Sequence, residues 1–495
     1  MKKIQICFCI YFIFSIIILY TFYSCEKDII TNESIVEFPD SISLIFNTPL
    51  GSSNQTCISS TCHSTDDRAS GFDLENWTNT MNGSDNGTMI IPYNAFWSHL
   101  VAAINNDTNV APVILLNPPD LSNLHKLSGD KVHTIMHWIN KGAKNKNGGV
   151  AFEVFQPKAF ITNQASDYVA LIHTEYQLIA RLIPVGGSSQ NDAPYCVTID
   201  PQKKYFYVSL IQEGYIEKLS MLSNTRVARM PAGSNPAQII ISPDNFYGYI
   251  SNFENGLNTE RSIRKFQTST MTVLDTISDQ LLNAPHGMAL SNDGQFLYVV
   301  SQQGEYLFKI ETNSFEIILK VPLDPSVPPT GNGTGNYLPF QVELSPDNAF
   351  LYVTCSGPPN NQAPDLVKVF NSNDLSLTKN ITVEDNPLLL KFTPDGRYVY
   401  VCNRNSNSVS VISAISQTVI RTIQGVGIQP HGIDFTRDGK YAIVSCESQS
   451  GYNGHHPQVG SVKLGVSRII RTIDFTVLNK RYETASFPTG IVVAR

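Results

Sequence analysis

Two cysteines and a histidine stand close together near the N-terminus, in the run Thr56-Cys57-Ile58-Ser59-Ser60-Thr61-Cys62-His63. A cysteine pair followed directly by histidine is the arrangement that attaches haem c, usually with two residues between the cysteines. Here the spacer has four. We predict that Cys57 and Cys62 form thioethers to one covalent haem and that His63 binds the iron from the proximal side. A Cys57–Cys62 disulfide remains the alternative.

The segment that must position this motif has the pattern of a small, mainly α unit, predicted over residues 45–150. Its clearest helix covers Gly129–Lys141, where apolar residues recur at helical spacing: Val132, Ile135, Met136 and Ile139. A second helix is predicted over Phe96–Ile104.

These elements resemble the small c-type cytochrome domains of exported bacterial proteins, particularly those of Bacteroidetes. Such domains begin with Cys-x4-Cys-His, continue with a Gly-hydrophobic-Asp-Leu-x-x-Trp element, and close with a Leu-Ser…Trp-Ile-x-x-Gly-Ala helix. The matching segments here are Gly71–Trp77, Leu127-Ser128 and Trp138–Ala143. The resemblance implies an electron-transfer domain, and it accounts for the four-residue spacer.

The second iron ligand departs from this pattern. The family often supplies it from a Met-Pro pair, but residues 113–119 contain no methionine. We predict His99, on the second helix, as the distal ligand, with His125 as the alternative. His133 and His137 stand four residues apart, as a metal pair could, but they lie off the apolar stripe and are expected to face solvent.

From Lys158 onward the chain repeats, and each unit opens with a proline followed six residues later by the start of a polar turn and then by a strand. The opening prolines and turn residues are Pro194 with Asp200, Pro236 with Ser242, Pro285 with Ser291, Pro339 with Ser345, Pro387 with Thr393, and Pro430 with Thr436. These six prolines are 42 to 54 residues apart, which suits one four-stranded propeller blade.

A seventh proline, Pro488, opens a final strand that has no hairpin partner of its own. Residues 158–192 hold the missing partners, so we expect this strand to complete the first blade and close a ring over residues 158–495. The repeats resemble the YVTN family of bacterial propellers, as in Leu351–Thr354 and Tyr400–Asn403. The predicted fold class is an all-β seven-bladed β-propeller with a small, mainly α, cytochrome c-like N-terminal domain.

Potential metal ligands gather at one mouth of the predicted propeller channel. His286 and His431 each follow an opening proline, and the loop that contains His455 and His456 is expected on the same face as Cys446. Imidazole and thiolate suit copper or zinc, so a second metal site is one hypothesis. The alternative is that the histidines mark strand entries and that the cysteines pack as small apolar residues.

The N-terminus has the pattern of an export signal. Residues 1–24 contain two lysines followed by a strongly apolar run. The run ends at Ser24-Cys25 and resembles a lipoprotein cleavage site, which implies lipidation of Cys25 after signal removal. We therefore predict an outer-membrane lipoprotein, facing the periplasm or the cell surface, with a tether over residues 25–44. An uncleaved membrane anchor is the alternative.

Three functions remain open from the sequence. The first is a haem c electron-transfer lipoprotein whose propeller docks a redox partner protein or a small molecule. The second is an oxidoreductase with a second metal or cofactor at the propeller mouth, and the third is a non-redox surface binding module. The net charge of −7 argues against nucleic acid as a partner. The repeats show no complete catalytic triad, P-loop or paired-carboxylate signature, so enzymatic activity stays undecided.

Overall fold

The computed structural model describes residues 35–50, 54–110, 126–188, 190–253, 261–323, 336–357, 365–448 and 463–495. The predicted signal peptide and Cys25 lie outside these ranges, as do His125, His455 and His456. Within them, no helix combines the length and apolar character needed to cross a membrane.

Four helices of the N-terminal unit pack around one apolar core: α1 (Asp40–Asn47), α2 (Trp77–Met81), α3 (His99–Ile104) and α4 (Gly129–Asn140). Helix α4 buries Val132, Ile135 and Ile139 as predicted, although Met136 is only half-buried. His133 and His137 are exposed, as expected.

Two boundaries differ from the sequence prediction. Helix α1 begins inside the predicted tether of residues 25–44, because Ile42, Ile45 and Phe46 form an apolar face that joins the core of the unit. The second predicted helix starts at His99 rather than Phe96, because Ser98 closes a turn by donating its hydroxyl to the Asn94 carbonyl at 2.7 Å.

From Lys158 onward the chain forms seven four-stranded antiparallel sheets, the blades of a propeller, around one axis. Blade 1, from its innermost strand outward, consists of β28 (Pro488–Val493), β1 (Lys158–Asn163), β2 (Tyr168–His173) and β3 (Leu178–Pro184), and blade 2 of β4 (Pro194–Ile199), β5 (Tyr205–Leu210), β6 (Tyr215–Ser220) and β7 (Arg226–Pro231). Blade 3 consists of β8 (Pro236–Ile241), β9 (Tyr247–Asn252), β10 (Ser262–Gln267) and β11 (Thr272–Ser278), and blade 4 of β12 (Pro285–Leu290), β13 (Phe296–Ser301), β14 (Tyr306–Glu311) and β15 (Glu316–Pro322). Blade 5 consists of β16 (Pro339–Leu344), β17 (Phe350–Cys355), β18 (Leu366–Asn371) and β19 (Leu377–Thr382), and blade 6 of β20 (Pro387–Phe392), β21 (Tyr398–Asn403), β22 (Ser408–Ser413) and β23 (Thr418–Gln424). Blade 7 consists of β24 (Pro430–Phe435), β25 (Tyr441–Cys446), β26 (Gly465–Arg471) and β27 (Thr476–Thr484).

The last strand closes the ring, as predicted. Strand β28 pairs antiparallel with β1, with Ile491 opposite Ile161, and so completes the first blade. This pairing joins the C-terminal strand to the start of the repeat and leaves no open gap in the ring of sheets.

The entry to every innermost strand repeats one strained geometry. The residue before each opening proline has a positive φ between 39° and 60°: Ala193, Asn235, Ala284, Leu338, Asn386, Gln429 and Phe487. Its carbonyl accepts a backbone hydrogen bond from the residue that follows a strand of the same blade, as Gln429 does from Glu447 at 2.9 Å. This bond holds the chain in a conformation that most side chains disfavour.

The helical unit is docked on the propeller at blades 7 and 1. Trp97 and Ala102 pack into the same apolar cluster as Ile179 and Tyr482 of the propeller. The Ile179 amide donates to Thr88 Oγ1 at 2.7 Å, and the Arg481 amide donates to the Asn86 carbonyl at 2.9 Å.

Candidate functional site

A cavity of about 640 Å³ lies where the helical unit meets the propeller. Its size falls within the range of about 300–1,000 Å³ that is usual for cofactor sites. Leu74, Leu100 and Ile104 contribute apolar walls. Cys57, Cys62 and His63 all line it, so the structure brings the three residues of the sequence motif to one chamber.

Two consecutive turns accommodate the four-residue spacer. The Ser59 amide donates to the Thr56 carbonyl at 3.2 Å, and the Cys62 amide donates to the Ser59 carbonyl at 2.9 Å. A further bond from the His63 amide to the Cys57 carbonyl, at 3.0 Å, draws the two ends of the motif together. The longer spacer is therefore folded into a compact loop, which keeps both cysteines on the cavity wall.

Contacts with Phe72 fix the orientation of the His63 imidazole. Its Nδ1 donates to the Phe72 carbonyl, 3.1 Å away, and the two rings meet edge to face with centroids 5.4 Å apart. A proton on Nδ1 leaves the lone pair on Nε2, which is the tautomer that binds a metal. Phe72 belongs to the Gly71–Trp77 element, so that element positions the candidate ligand.

Cys57 and Cys62 are free thiols in the structure. Burial raises the pKa of Cys57, so its thiol is protonated at neutral pH. Both side chains are partly exposed. The loop that carries them therefore contacts both the cavity and the solvent.

Two further candidate ligands line the cavity, His99 at the start of α3 and Met89 in the preceding segment. Sequence reasoning selected His99 and missed Met89, which lies three residues before Pro92 and so outside the Met-Pro pattern. The Nδ1 of His99 pairs with Glu483 Oε2. The predicted alternative, His125, lies outside the described residues.

The propeller supplies Arg481 and Glu483 to the cavity wall. Both are on β27, two residues apart, and Arg481 Nε donates to Glu483 Oε1 at 2.8 Å. Burial raises the pKa of Glu483, but the hydrogen bonds and charges of His99 and Arg481 outweigh it and hold the pKa below its ordinary value. Glu483 is therefore an ionised carboxylate on the cavity wall.

The residues that follow the opening prolines converge on the propeller axis, as predicted, and close it. All seven are at most 4% exposed: Tyr195, Ala237, His286, Phe340, Leu388, His431 and Thr489. A cavity of about 180 Å³ lies beside Tyr195 and both histidines along the axis. It is smaller than the usual cofactor site of about 300 Å³ or more.

The axial histidines form a hydrogen-bonded network rather than a ligand cluster. Tyr195 Oη lies 2.9 Å from His286 Nε2 and 3.3 Å from His431 Nε2. His286 Nδ1 donates to the Phe340 carbonyl, and His431 Nδ1 donates to Glu447 Oε1 at 2.8 Å. Each of the four imidazole nitrogens therefore already has a protein partner.

Cys446 does not join the axial histidines. It ends β25 at the predicted face, but its Sγ lies against the Val426 carbonyl at 3.0 Å, within the apolar packing between blades. The alternation of side chains along a strand directs Ser445, not Cys446, toward β28. The described ranges contain no group of three His, Cys, Asp or Glu side chains that could hold a metal. Among the described residues, the predicted metal site at the propeller mouth therefore has no set of ligands.

Comparison with known proteins supports both parts of the chain. Residues 306–424 and 390–452 match the family model described as Lactonase, 7-bladed beta-propeller, and residues 57–111 match the model Planctomycete cytochrome C. The second match begins at the first motif cysteine. The chain is a seven-bladed propeller, and residues 57–111 on its N-terminal side are similar to a cytochrome c family model.

Among curated proteins, Antigen Lp49 of Leptospira interrogans is 26% identical over 195 residues, which are 35% of this chain and 39% of that relative. Among solved structures, hydrazine synthase of Kuenenia stuttgartiensis matches with a TM-score of 0.51 and 16% identity, over 63% of this chain and 92% of that one. A functionally unknown protein from Desulfotomaculum acetoxidans matches with a TM-score of 0.54 and 12% identity, over 69% and 99%. At these identities the structural matches show the fold alone.

Proposed function

We propose that the chain binds one haem c through Cys57 and Cys62 and transfers single electrons. The observation that carries this proposal is that Cys57, Cys62 and His63 line one chamber of about 640 Å³, with His63 held by Phe72 in the ligating tautomer. When bound, haem c supplies a one-electron iron couple.

The protein's own groups have separate roles in this proposal. Cys57 and Cys62 would hold the haem covalently through two thioether bonds. His63 and His99, which both line the chamber, would supply the imidazole ligands of its iron. The apolar walls at Leu74 and Leu100 exclude water.

The shared placement of Cys57, Cys62 and His63 on one chamber wall favours this function over a binding module with a Cys57–Cys62 disulfide. A disulfide that only stabilises the fold would require neither a large cavity beside the two cysteines nor a histidine on its wall. The small axial cavity and the closed histidine network likewise give an oxidoreductase with a second cofactor no support.

Electron exchange is proposed to occur at the attachment loop. Cys57 and Cys62 are partly exposed, whereas the propeller residue Glu483, which also lines the chamber, is buried. A redox partner protein or small molecule would approach this loop, while the propeller holds the partner or a ligand. The proposal includes export and anchoring through lipidated Cys25, so that this exchange takes place at the outer membrane.

The test is a pyridine-haemochrome assay on the full chain, co-expressed with haem-maturation machinery. We expect one covalent haem c per chain, and its loss in a Cys57→Ser/Cys62→Ser double variant. Cys196→Ser, a partly buried cysteine that lies outside the chamber, is the matched control and keeps the haem. A wild-type chain with no c-type absorbance after maturation refutes the proposal.

A further inference from the structure

The candidate distal ligand is held by the propeller and not by its own domain. Glu483 accepts from His99 Nδ1 through Oε2 and from Arg481 Nε through Oε1. Its side chain is 3% exposed. Because each carboxylate oxygen has a different partner, the plane of the carboxylate is fixed, and the His99 ring is fixed with it.

Helix α3 cannot easily move away from this carboxylate, because it contributes to two cores. Leu100, Val101 and Ile104 pack in the core of the helical unit, whereas Ala102 packs in the cluster that contains Tyr482 of β27. Tyr482 stands between Arg481 and Glu483 on the same strand. The apolar contact and the polar contact therefore fix the same helix against the same strand.

The backbone adds a third constraint at this junction. Gly87 forms a parallel bridge with Arg481, and a Cβ at Gly87 would stand 2.0 Å from the Arg481 carbonyl oxygen. The chain of the helical unit thus approaches β27 as closely as a glycine allows. This contact holds the segment that leads to α3 against the strand that contains Arg481 and Glu483.

We infer that Glu483 is a positioning residue for His99, so that the propeller completes the haem site; this inference rests on the proposed function. With Nδ1–H bonded to a carboxylate, His99 presents Nε2 to the chamber in the ligating tautomer. The carboxylate also makes the imidazole a stronger electron donor, which favours ferric iron and lowers the reduction potential. The propeller is then part of the electronic environment of the haem.

The experiment compares full-chain variants by ferric electron paramagnetic resonance and by redox titration. In the wild type we expect a low-spin signal of two histidine ligands, which His99→Ala abolishes and Met89→Leu preserves. Glu483→Gln keeps the size of the side chain but removes its negative charge. Glu483→Asp keeps the charge but shortens the side chain by one methylene group, which moves the carboxylate away from His99. Both are expected to raise the reduction potential.

The matched control is Glu217→Gln, since Glu217 is also a buried propeller carboxylate paired with an arginine, Arg226, at 2.5 Å, but lies outside the chamber. It should leave the potential unchanged. Wild-type chain without haem refutes the proposed function itself. Haem-loaded chain in which Met89→Leu rather than His99→Ala removes the sixth ligand, or in which the Glu483 variants shift the potential no more than the control does, overturns the inference alone.

Discussion

Replacing Glu447 by alanine is expected to destabilise the propeller more than any change of a surface charge. Its carboxylate is fully buried and accepts four contacts: Arg404 Nε lies 2.9 Å from each oxygen, Arg404 Nη2 lies 2.6 Å from Oε2, and His431 Nδ1 lies 2.8 Å from Oε1. Arg404 is itself only 4% exposed. The substitution therefore leaves a guanidinium in the interior without its counter-charge.

The magnitude follows from that burial. Removing one partner of a buried ion pair costs about 3–5 kcal/mol, because the remaining charge is neither paired nor hydrated. The same loss frees His431 Nδ1, and so loosens the Tyr195 network that closes the axis. An exposed pair gives the comparison: Arg471 and Asp474 are 44% and 43% exposed and in contact at 2.6 Å, and such pairs contribute at most about 1 kcal/mol.

The assay is denaturant unfolding of the full chain, followed by tyrosine fluorescence and circular dichroism, for Glu447→Ala and for the control Asp474→Asn. We expect the unfolding free energy of the propeller transition to fall by about 3–5 kcal/mol in the first and by at most about 1 kcal/mol in the second. Equal losses in the two variants refute the reasoning, because burial would then make no difference to the pair.

Two further predictions concern turns and docking. Hydrogen bonds from Ser291 and Ser345 lower the pKa values of Asp293 and Asp347, so each carboxylate adds stability above its ordinary pKa of 3.8 and loses it as the pH falls through the lowered value. Asp293→Asn/Asp347→Asn should flatten the fall in melting temperature below pH 3.8 relative to wild type; an unchanged acid slope contradicts the assignment. Gly87→Ala should loosen the helical unit and speed proteolysis of the connection to the propeller. Gly148→Ala, also at positive φ but with nothing within 4 Å of the added carbon, should leave that rate closer to wild type; equal rates contradict the close contact.

The propeller could be predicted in detail because its signals are local and repeated. Prolines and polar turns recur at blade spacing, and the unpaired strand after Pro488 indicates how the ring closes. The positive φ before each proline could not be read from residue type, since alanine, leucine and phenylalanine occupy several of these positions. Position within the repeat, not local propensity, imposes that conformation.

Only part of the candidate site could be predicted, because some of its residues are close in sequence whereas others meet only in the folded structure. Cys57, Cys62 and His63 are adjacent in sequence and their chemistry follows from their types. Glu483 contacts His99 from 384 residues away, and nothing in the sequence around either residue indicates the pairing. Tertiary packing of α3 against β27 creates it. Helix α1 was missed for a related reason, since its short apolar face is recognisable only beside the core that it joins.

Closure of the ring by β28 has a consequence for the order in which the site is made. The Cys57–His63 motif precedes the whole propeller in the chain and is synthesised before it, whereas β27 and β28 follow every other propeller strand. The helical unit rests on blades 7 and 1, on both sides of the seam where the two ends of the repeat meet. A nascent chain can therefore fold Cys57, Cys62 and His63 into their loop long before Arg481 and Glu483 exist. Truncation within the last blade removes one wall of the chamber while leaving the entire motif intact.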